Sequence, residues 1–212
     1  SIEKVKLGVW GIHNSLLPKY RGGSPLVWQL INKEKVIGSS FFKFSNGMDN
    51  GTILKQVKID NADRMTIGEA SDRIERAWIS KLPEIWVDFC KGYIDSVEQN
   101  HTEASYCAQR QDSDGLINWK LDAKDVDAFI RAQDAPYPMA FFKLHKKIVR
   151  IVSHSIDTRE IYGICGQVFQ IIDKSAVICC GGNTAIKVSK VLIDGSTVDA
   201  SDILNSIKIR LI

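Results

Sequence analysis

The first strong hydrophobic pattern of the chain is the run from Leu7 to Ile12, which polar and turn-forming residues close. An apolar run of this length that ends in turn chemistry is typical of a strand covered on both faces, as in a parallel sheet. His13 follows the run directly, and Pro18 and the Gly22-Gly23 pair then force the chain to turn. The pattern therefore predicts a buried strand with one imidazole at its end.

The next segment predicts a helix and a hairpin. Ser24 and Pro25 are typical of an N-cap and a first helical position, and apolar residues recur at helical spacing as far as Ile31. After a polar turn, residues 36–44 and 52–59 are rich in β-branched and aromatic side chains. We expect these two runs to pair as neighbouring strands.

A long amphipathic helix is predicted after this hairpin. Thr66 and Glu69 have the spacing of a capping box, and an apolar stripe follows them to about Val97. Pro83 lies inside that stripe and is expected to interrupt or restart the helix. The polar, aperiodic residues 101–111 then predict a linker between two domains.

The second half of the chain changes to short strands. Asp122 predicts the N-cap of a helix, which the proline-rich segment 134–138 ends. A final short helix is expected over 201–206. Between these helices, five short apolar runs are separated by Gly, Asn and Asp turns, which favours a small β-barrel. They are residues 140–144, 148–153, 166–172, 176–180 and 185–193.

Composition and charge narrow the class of protein. The 212 residues are 44% hydrophobic and 25% charged, as in an ordinary globular protein, and the net charge of +3 does not by itself indicate nucleic-acid binding. Five cysteines without a C-x-x-C spacing favour reduced thiols in a cytoplasmic compartment. Histidines and carboxylates show no metal-ligand spacing, so no metal is predicted. No apolar run approaches the roughly 18 residues of a membrane span, and no signal-peptide pattern opens the chain.

Several segments, taken in order, resemble the motifs of the folate-dependent formyltransferases. Residues 13–22 read His-Asn-Ser-Leu-Leu-Pro-Lys-Tyr-Arg-Gly, and residues 45–54 contain a Gly-x-Asp-x-Gly turn. Residues 114–119 (Asp-Gly-Leu-Ile-Asn-Trp), 130–132 and 137–141 resemble a third region of the longer members. This family includes the methionyl-tRNA formyltransferases and the sugar-nucleotide N-formyltransferases.

The resemblance implies an α/β fold with two domains. Residues 1–100 would form the C-terminal part of a Rossmann-like formyltransferase domain, whose first half is expected upstream of Ser1. Residues 101–111 would be the linker, and residues 112–212 would form a domain with a helix and an OB-like β-barrel.

The resemblance also implies the site residues. His13 would be the proton acceptor, and Asp49 would orient it, whereas without the resemblance a strand-capping histidine and an ordinary turn aspartate are the simpler interpretations. The position of the catalytic Asn of the family, two residues before the histidine, is Gly11 here. Residues that would bind the co-substrate or substrate are Ser15, Leu16, Leu17, Pro18, Tyr20, Arg21, Gly22 and Tyr137. Lys19 and Arg21 are either contacts for a substrate phosphate or solvated loop charges.

We therefore expect formyl transfer from formyl-tetrahydrofolate, as co-substrate, to the amine of a small molecule, foremost a nucleotide-linked amino sugar. Methionyl-tRNA is the alternative amine, and it is less favoured because residues 150–212 carry nearly balanced charge. A different class stays open because of Gly11: a catalytically silent homologue that binds folate or a sugar nucleotide. The sequence leaves open whether the protein is a monomer or a homo-oligomer.

Overall fold

A three-stranded antiparallel sheet forms the centre of the first half of the chain, in the order β1-β3-β4. The computed structural model describes residues 5, 7–61 and 64–211; Ser1 and Ile212, at which the two predicted domains begin and end, lie outside the described residues. The elements of this half are β1 (Trp10–His13), β2 (Arg21–Gly22), α1 (Pro25–Ile31), β3 (Val36–Lys43), β4 (Ile53–Asp60), α2 (Ile67–Lys91) and β5 (Tyr106–Cys107).

Strand β1 differs from the buried parallel strand predicted over residues 7–12. It is shorter, it pairs antiparallel with β3, and the described residues give it a sheet neighbour on that edge alone. Its side chains are unequally covered, since Ile12 is 47% exposed while His13 is buried. An apolar run reports burial in general, but it does not encode the direction of the neighbouring strand.

The predicted hairpin is confirmed, with β3 and β4 paired antiparallel from Val36 opposite Asp60 to Phe42 opposite Ile53. Helix α1 starts with Pro25 at its first turn, as expected. Ser24 does not cap it with its side chain and has a left-handed backbone, with φ at 51°. Its hydroxyl oxygen instead accepts a hydrogen bond from the backbone N–H of Arg110 at 3.1 Å.

Helix α2 begins with the predicted capping box. The hydroxyl of Thr66 accepts from the N–H of Glu69, and the Glu69 carboxylate accepts from the N–H of Thr66. The helix then runs unbroken through Pro83 for 25 residues, so the predicted interruption is wrong. It ends at Lys91, before the end of the apolar stripe, because Gly92 takes a left-handed C-cap with φ at 77°.

Most of the predicted linker folds against the first half. Strand β5 pairs in parallel with β2, so that Arg21 lies opposite Tyr106 and Gly22 opposite Cys107. The chain divides into two compact units after Arg110. Residues 101–110 therefore belong to the first unit. The sequence does not reveal this, because backbone pairing produces no hydrophobic periodicity.

The second unit is an antiparallel sheet with two helices. Its strands run in the order β6-β7-β10-β9-β8, and β11 pairs with β10. Each of the five predicted strands is found, β11 was not predicted, and α4 begins and ends earlier than expected. The elements are α3 (Ala123–Ala132), β6 (Phe141–Leu144), β7 (Lys147–Asp157), β8 (Val168–Ile172), β9 (Ser175–Cys179), β10 (Ala185–Ile193), β11 (Ser196–Asp199) and α4 (Ala200–Ile203).

The predicted OB-like barrel is not confirmed, since no strand pairing within residues 111–211 closes this sheet. Asp122 caps α3 by accepting from the N–H of Asp125, as predicted. The face of α3 that carries Val126 and Ile130 packs into a core with Ile151 and Ile186 of the sheet. Within the described parts of both units, no helix is both long and apolar enough to cross a membrane.

Candidate active site

His13 ends β1, and its imidazole is 8% exposed. Its Nε2 lies 2.8 Å from the backbone carbonyl oxygen of Tyr20. Since a carbonyl oxygen can only accept, Nε2 is assigned as the N–H that donates, which leaves Nδ1 as the basic nitrogen of the neutral ring. The ring packs edge-on against Phe42, with 6.1 Å between the ring centroids. The imidazole is therefore held in one tautomer and one orientation.

Asp49 lies in the loop between β3 and β4, with a left-handed backbone at φ 47°. Its Oδ2 is 3.6 Å from Nδ1 of His13 and accepts a hydrogen bond from the N–H of Gly22 at 2.8 Å. The structure thus brings together the two side chains predicted as a pair. The backbone carbonyl of Tyr20, rather than Asp49, fixes the tautomer, and the Asp49 carboxylate lies beside the other ring nitrogen.

Two side chains of β3 and β4 hold the loop after His13. The Ser40 hydroxyl donates to the carbonyl of Ser15 at 2.6 Å and accepts from the N–H of Leu17 at 3.0 Å. The Gln56 amide donates to the carbonyl of Leu17 at 2.9 Å, and the Ser15 hydroxyl donates to the carbonyl of Lys19 at 2.6 Å. Ser15 and Leu17 therefore shape the loop from buried positions, ahead of a cis peptide bond to Pro18.

Tyr20 extends from this loop along one wall of a cavity of about 520 Å³, which Leu16 and Lys19 also line. Its hydroxyl donates to Glu34 at 2.6 Å and accepts from Asn32 at 3.0 Å. Burial, and then the hydrogen bond to Glu34, raises the pKa of the Tyr20 phenol. Two of the predicted binding residues, Leu16 and Tyr20, therefore line this cavity.

Arg21 is buried, at 2% exposure, so neither a solvated loop charge nor an open phosphate contact describes it. Its guanidinium donates to Oε1 of Gln99 at 2.6 and 3.1 Å, and to the hydroxyl of Tyr106 at 3.3 Å. Gln99 in turn donates to the backbone carbonyls of Asp49 and Gly51, at 2.8 and 2.7 Å. Arg21 and Gln99 therefore hold the loop that carries Asp49.

The sequence did not point to Gln99, because it lies in a polar stretch without periodicity or motif. His101 was missed for the same reason, and its Nδ1 lies 3.0 Å from Nη2 of Arg21. Since the guanidinium has no acceptor, this ring nitrogen must accept. The only sequence signal for these partners is the charge of Arg21 itself, which the sequence assigns either to a substrate phosphate or to solvent.

Gly22 has to be a glycine for Asp49 to be held. Its φ is 101°, and a β-carbon there would stand 2.4 Å from the carbonyl oxygen of Cys107. The close approach of the two backbones presents the Gly22 N–H to the carboxylate. Burial, and then the charge of Asp49, raises the pKa of the Cys107 thiol beside it.

Gly11 is covered by the ring of Phe44. A β-carbon at position 11 would lie 2.5 Å from Cζ and 2.8 Å from Cε1 of that ring. Gly11 and His13 share one face of β1, and Phe42 opposite Gly11 packs against Phe44 with 5.2 Å between ring centroids. An aromatic ring thus stands where a side chain of residue 11 would begin.

Tyr137 lies in the second unit, 45% exposed, in the turn after α3, and its proposed role stays a prediction. Over the described residues, no group of three or more His, Cys, Asp or Glu side chains is placed to hold a metal ion.

Two family models match the chain and together span most of it. Residues 1–85 match the model described as formyl transferase, and residues 110–208 match that of the formyl transferase C-terminal domain. The boundary between the two units lies at the start of the second match.

Individual proteins give the same result. The chain is 31% identical over 195 residues to methionyl-tRNA formyltransferase of Acetivibrio thermocellus, covering 92% of this chain and 60% of that protein. It is 36% identical over 145 residues to the bifunctional polymyxin resistance protein ArnA of Wigglesworthia glossinidia brevipalpis, covering 68% of this chain and 22% of that protein. The solved structure of WlaRD, a sugar 3N-formyl transferase, superposes with a TM-score of 0.66 at 19% identity, over 85% of this chain and 64% of the other.

The chain spans about three-fifths of the length of the methionyl-tRNA formyltransferase that it matches. The two consecutive family models and the paired His13 and Asp49 lead to one conclusion: this chain belongs to the formyl transferase family.

Proposed function

We propose that the protein transfers a formyl group from formyl-tetrahydrofolate to a primary amine, with His13 as the proton acceptor. The observation that carries this is the fixed imidazole, whose Nε2 is bound to the Tyr20 carbonyl while Nδ1 lies 3.6 Å from Asp49. The amine nitrogen attacks the formyl carbon, the new C–N bond forms, and the bond between that carbon and the folate nitrogen breaks. The attacking amine gives up a proton and the folate nitrogen takes one up.

His13 suits the transfer of that proton. Histidine is the side-chain type that most often serves as a general base in enzymes that work near neutral pH. When Nδ1 takes the proton, the Asp49 carboxylate already lies 3.6 Å away and pairs with the imidazolium without having to move far. Because Gly22 and Gln99 hold Asp49, little reorganisation is required during the reaction.

The oxyanion of the tetrahedral intermediate needs a hydrogen-bond donor that residue 11 does not supply from a side chain. Gly11 offers no side-chain donor, and the Phe44 ring is apolar at that place. A backbone N–H or a water has to take the role, and losing one such donor costs about a hundredfold or more in rate. For this reason a second class of function is retained: a silent homologue that binds folate or a sugar nucleotide.

The amine substrate is proposed to be a nucleotide-linked amino sugar, with methionyl-tRNA as the second candidate. The nearly balanced charge of residues 150–212 supports the first, because it gives little attraction to a polyanion such as tRNA. The match to methionyl-tRNA formyltransferases supports the second. We also propose that the first unit belongs to a Rossmann-like domain and that the second is OB-like.

The test is a formyl-transfer assay of the complete gene product with formyl-tetrahydrofolate. Nucleotide-linked amino sugars and methionyl-tRNA are offered in parallel, and formylated product is followed by mass spectrometry. Turnover with an amino sugar, abolished by His13→Ala, is the expected result. Turnover with methionyl-tRNA alone would reverse the two substrates. Calorimetric binding of folate without any turnover would leave the silent homologue.

A further inference from the structure

The His13 imidazole lies between two oxygen acceptors that favour opposite tautomers. Its Nε2 is 2.8 Å from the backbone carbonyl oxygen of Tyr20, and its Nδ1 is 3.6 Å from Oδ2 of Asp49. The carbonyl favours a proton on Nε2, whereas a carboxylate at hydrogen-bond distance would favour one on Nδ1. Since 3.6 Å is too long for a hydrogen bond, the position of the Tyr20 carbonyl determines that Nδ1 is the nitrogen that can take up a proton.

The backbone of Tyr20 presents this carbonyl from a left-handed conformation, with φ at 58°. A residue with a β-carbon rarely adopts this conformation unless its surroundings hold it there. The N–H of Tyr20 donates to the hydroxyl of Ser105 at 2.9 Å. At the other end of the residue, the phenol hydroxyl donates to Oε1 of Glu34 at 2.6 Å and accepts from Asn32 at 3.0 Å. Without the bonds at the phenol end, the backbone is able to relax, and the carbonyl then turns away from His13.

Glu34 is itself fixed in place, in the turn between α1 and β3. Its N–H donates to the carbonyl of Gln29 at 3.0 Å, and its carbonyl accepts from the side-chain amide of Asn61 at 2.9 Å. The side chain of Glu34 is partly buried, and a hydrogen bond to a charged acceptor is stronger than one between neutral groups. Glu34 therefore anchors the phenol end of Tyr20, and the exposed Asn32 adds a neutral bond.

From these contacts we propose that Glu34 is a positioning residue of the active site, which acts through Tyr20 to keep the neutral His13 imidazole protonated at Nε2. The two ends of Tyr20 link the two residues: the hydroxyl meets Glu34, and the carbonyl meets His13. The kinetic consequence rests on the proposed function, whereas the effect on the tautomer does not. Tyr20 is then a second positioning residue, whose phenol holds the backbone that orients the base.

The test is to measure the tautomer of His13 by NMR in the complete chain, without folate or amine. Long-range ¹H–¹⁵N correlation in alkaline buffer distinguishes a protonated from an unprotonated nitrogen of the neutral ring. The His13 signals are assigned from the backbone by triple-resonance spectra. His145 and His154 lie in the second unit and serve as internal references. Turnover and KM are measured in parallel on the same variants.

Glu34→Ala and Tyr20→Phe remove the same hydrogen bond from its two sides. Each should shift the ratio of the tautomers about threefold to tenfold toward Nδ1–H, the range that one lost hydrogen bond spans, and lower kcat in proportion with little change in KM. Glu34→Gln keeps an oxygen that accepts from the phenol, so it should stay within about twofold of the wild type. The matched control is Tyr162→Phe, which removes a 2.9 Å bond to Glu160 in the second unit and should also stay within about twofold.

Three outcomes would overturn the role of Glu34. An unchanged tautomer in Tyr20→Phe rejects it whatever the turnover, even if Glu34→Ala does not fold. Equal losses in Glu34→Gln and Glu34→Ala mean that the charge acts, and not the hydrogen bond. A raised KM of Tyr20→Phe with unchanged kcat and tautomer makes the phenol a substrate contact. A tautomer shift in a protein that transfers no formyl group, wild type included, supports the positioning and rejects the proposed function alone.

Discussion

The ring of Phe44 covers the α-carbon of Gly11, so that a β-carbon at position 11 would come within 2.5 Å of Cζ. The two residues lie on the same sheet face as His13, one strand apart. Phe44 is 39% exposed and is therefore able to turn outward, at the cost of its contact with Phe42. The absence of the family Asn at position 11 and the position of the Phe44 ring are thus linked, because the ring occupies the space that the Asn side chain would need.

This feature predicts how the family Asn can be restored. Gly11→Asn alone should lower the free energy of unfolding by about 1–3 kcal/mol, as overpacking does, and should not raise the rate of transfer. Gly11→Asn combined with Phe44→Ala should raise the rate about tenfold or more, which is about 1.4 kcal/mol of barrier. Phe44→Ala by itself is the control. A full gain from the single Asn variant would show that Phe44 is no obstacle.

The buried imidazole predicts a loss of function with a modest loss of stability. His13→Ala should lower formyl transfer by about a hundredfold to ten-thousandfold, the usual contribution of a general base. The lost hydrogen bond to Tyr20 should cost about 1 kcal/mol of unfolding free energy. Turnover and urea unfolding are measured on the same preparation. Wild-type turnover would remove His13 from the mechanism, and a failure to fold would assign it a structural role.

Asp49 predicts a different kinetic signature. Asp49→Asn keeps an oxygen that can accept from the Gly22 N–H but removes the charge 3.6 Å from Nδ1. The imidazolium formed during the transfer then loses its charged partner, so turnover should fall at least about tenfold while the KM for the amine changes little. Steady-state rates of the wild type and of Asp49→Asn check this. Wild-type turnover of the variant would show that the carboxylate charge has no part in the transfer.

The buried guanidinium predicts sensitivity to a conservative change. Arg21→Lys keeps the charge but loses the fork that meets Gln99 twice, so unfolding free energy should fall by about 1–3 kcal/mol. Arg76→Lys on the exposed face of α2 is the matched control, expected within about 0.5 kcal/mol of the wild type. Urea unfolding followed by tryptophan fluorescence measures both. Equal effects of the two substitutions would contradict the role given to Arg21.

The free cysteines predict an order of reactivity. Cys90 is exposed, whereas burial raises the pKa of the Cys180 thiol to about 12. At pH 8 about one Cys180 in ten thousand is then a thiolate, the reactive form. Labelling of Cys180 should therefore be slow and should rise about tenfold per pH unit below that pKa. Mass spectrometry after timed alkylation locates the label, and rapid labelling of Cys180 at pH 8 would show that the core opens.

Local signals in the sequence determined many elements of this protein. The capping box at Thr66 and the cap at Asp122 fixed where two helices start, because a cap involves residues three positions apart. Short apolar runs located the hairpin and five strands of the second unit. The resemblance also paired His13 with Asp49, and the structure places them 3.6 Å apart.

Only the tertiary structure decided the contacts between distant segments. The antiparallel pairing of β1, the folding of residues 101–110 onto β2, and the burial of Arg21 on Gln99 all join residues far apart in the chain. None of these contacts produces a hydrophobic periodicity or a motif in the sequence, because backbone pairing and single hydrogen bonds place no constraint on the types of the neighbouring residues. The ring of Phe44 over Gly11 belongs to the same group: a glycine in the sequence is an absence of side chain, and what fills its space is set by packing alone.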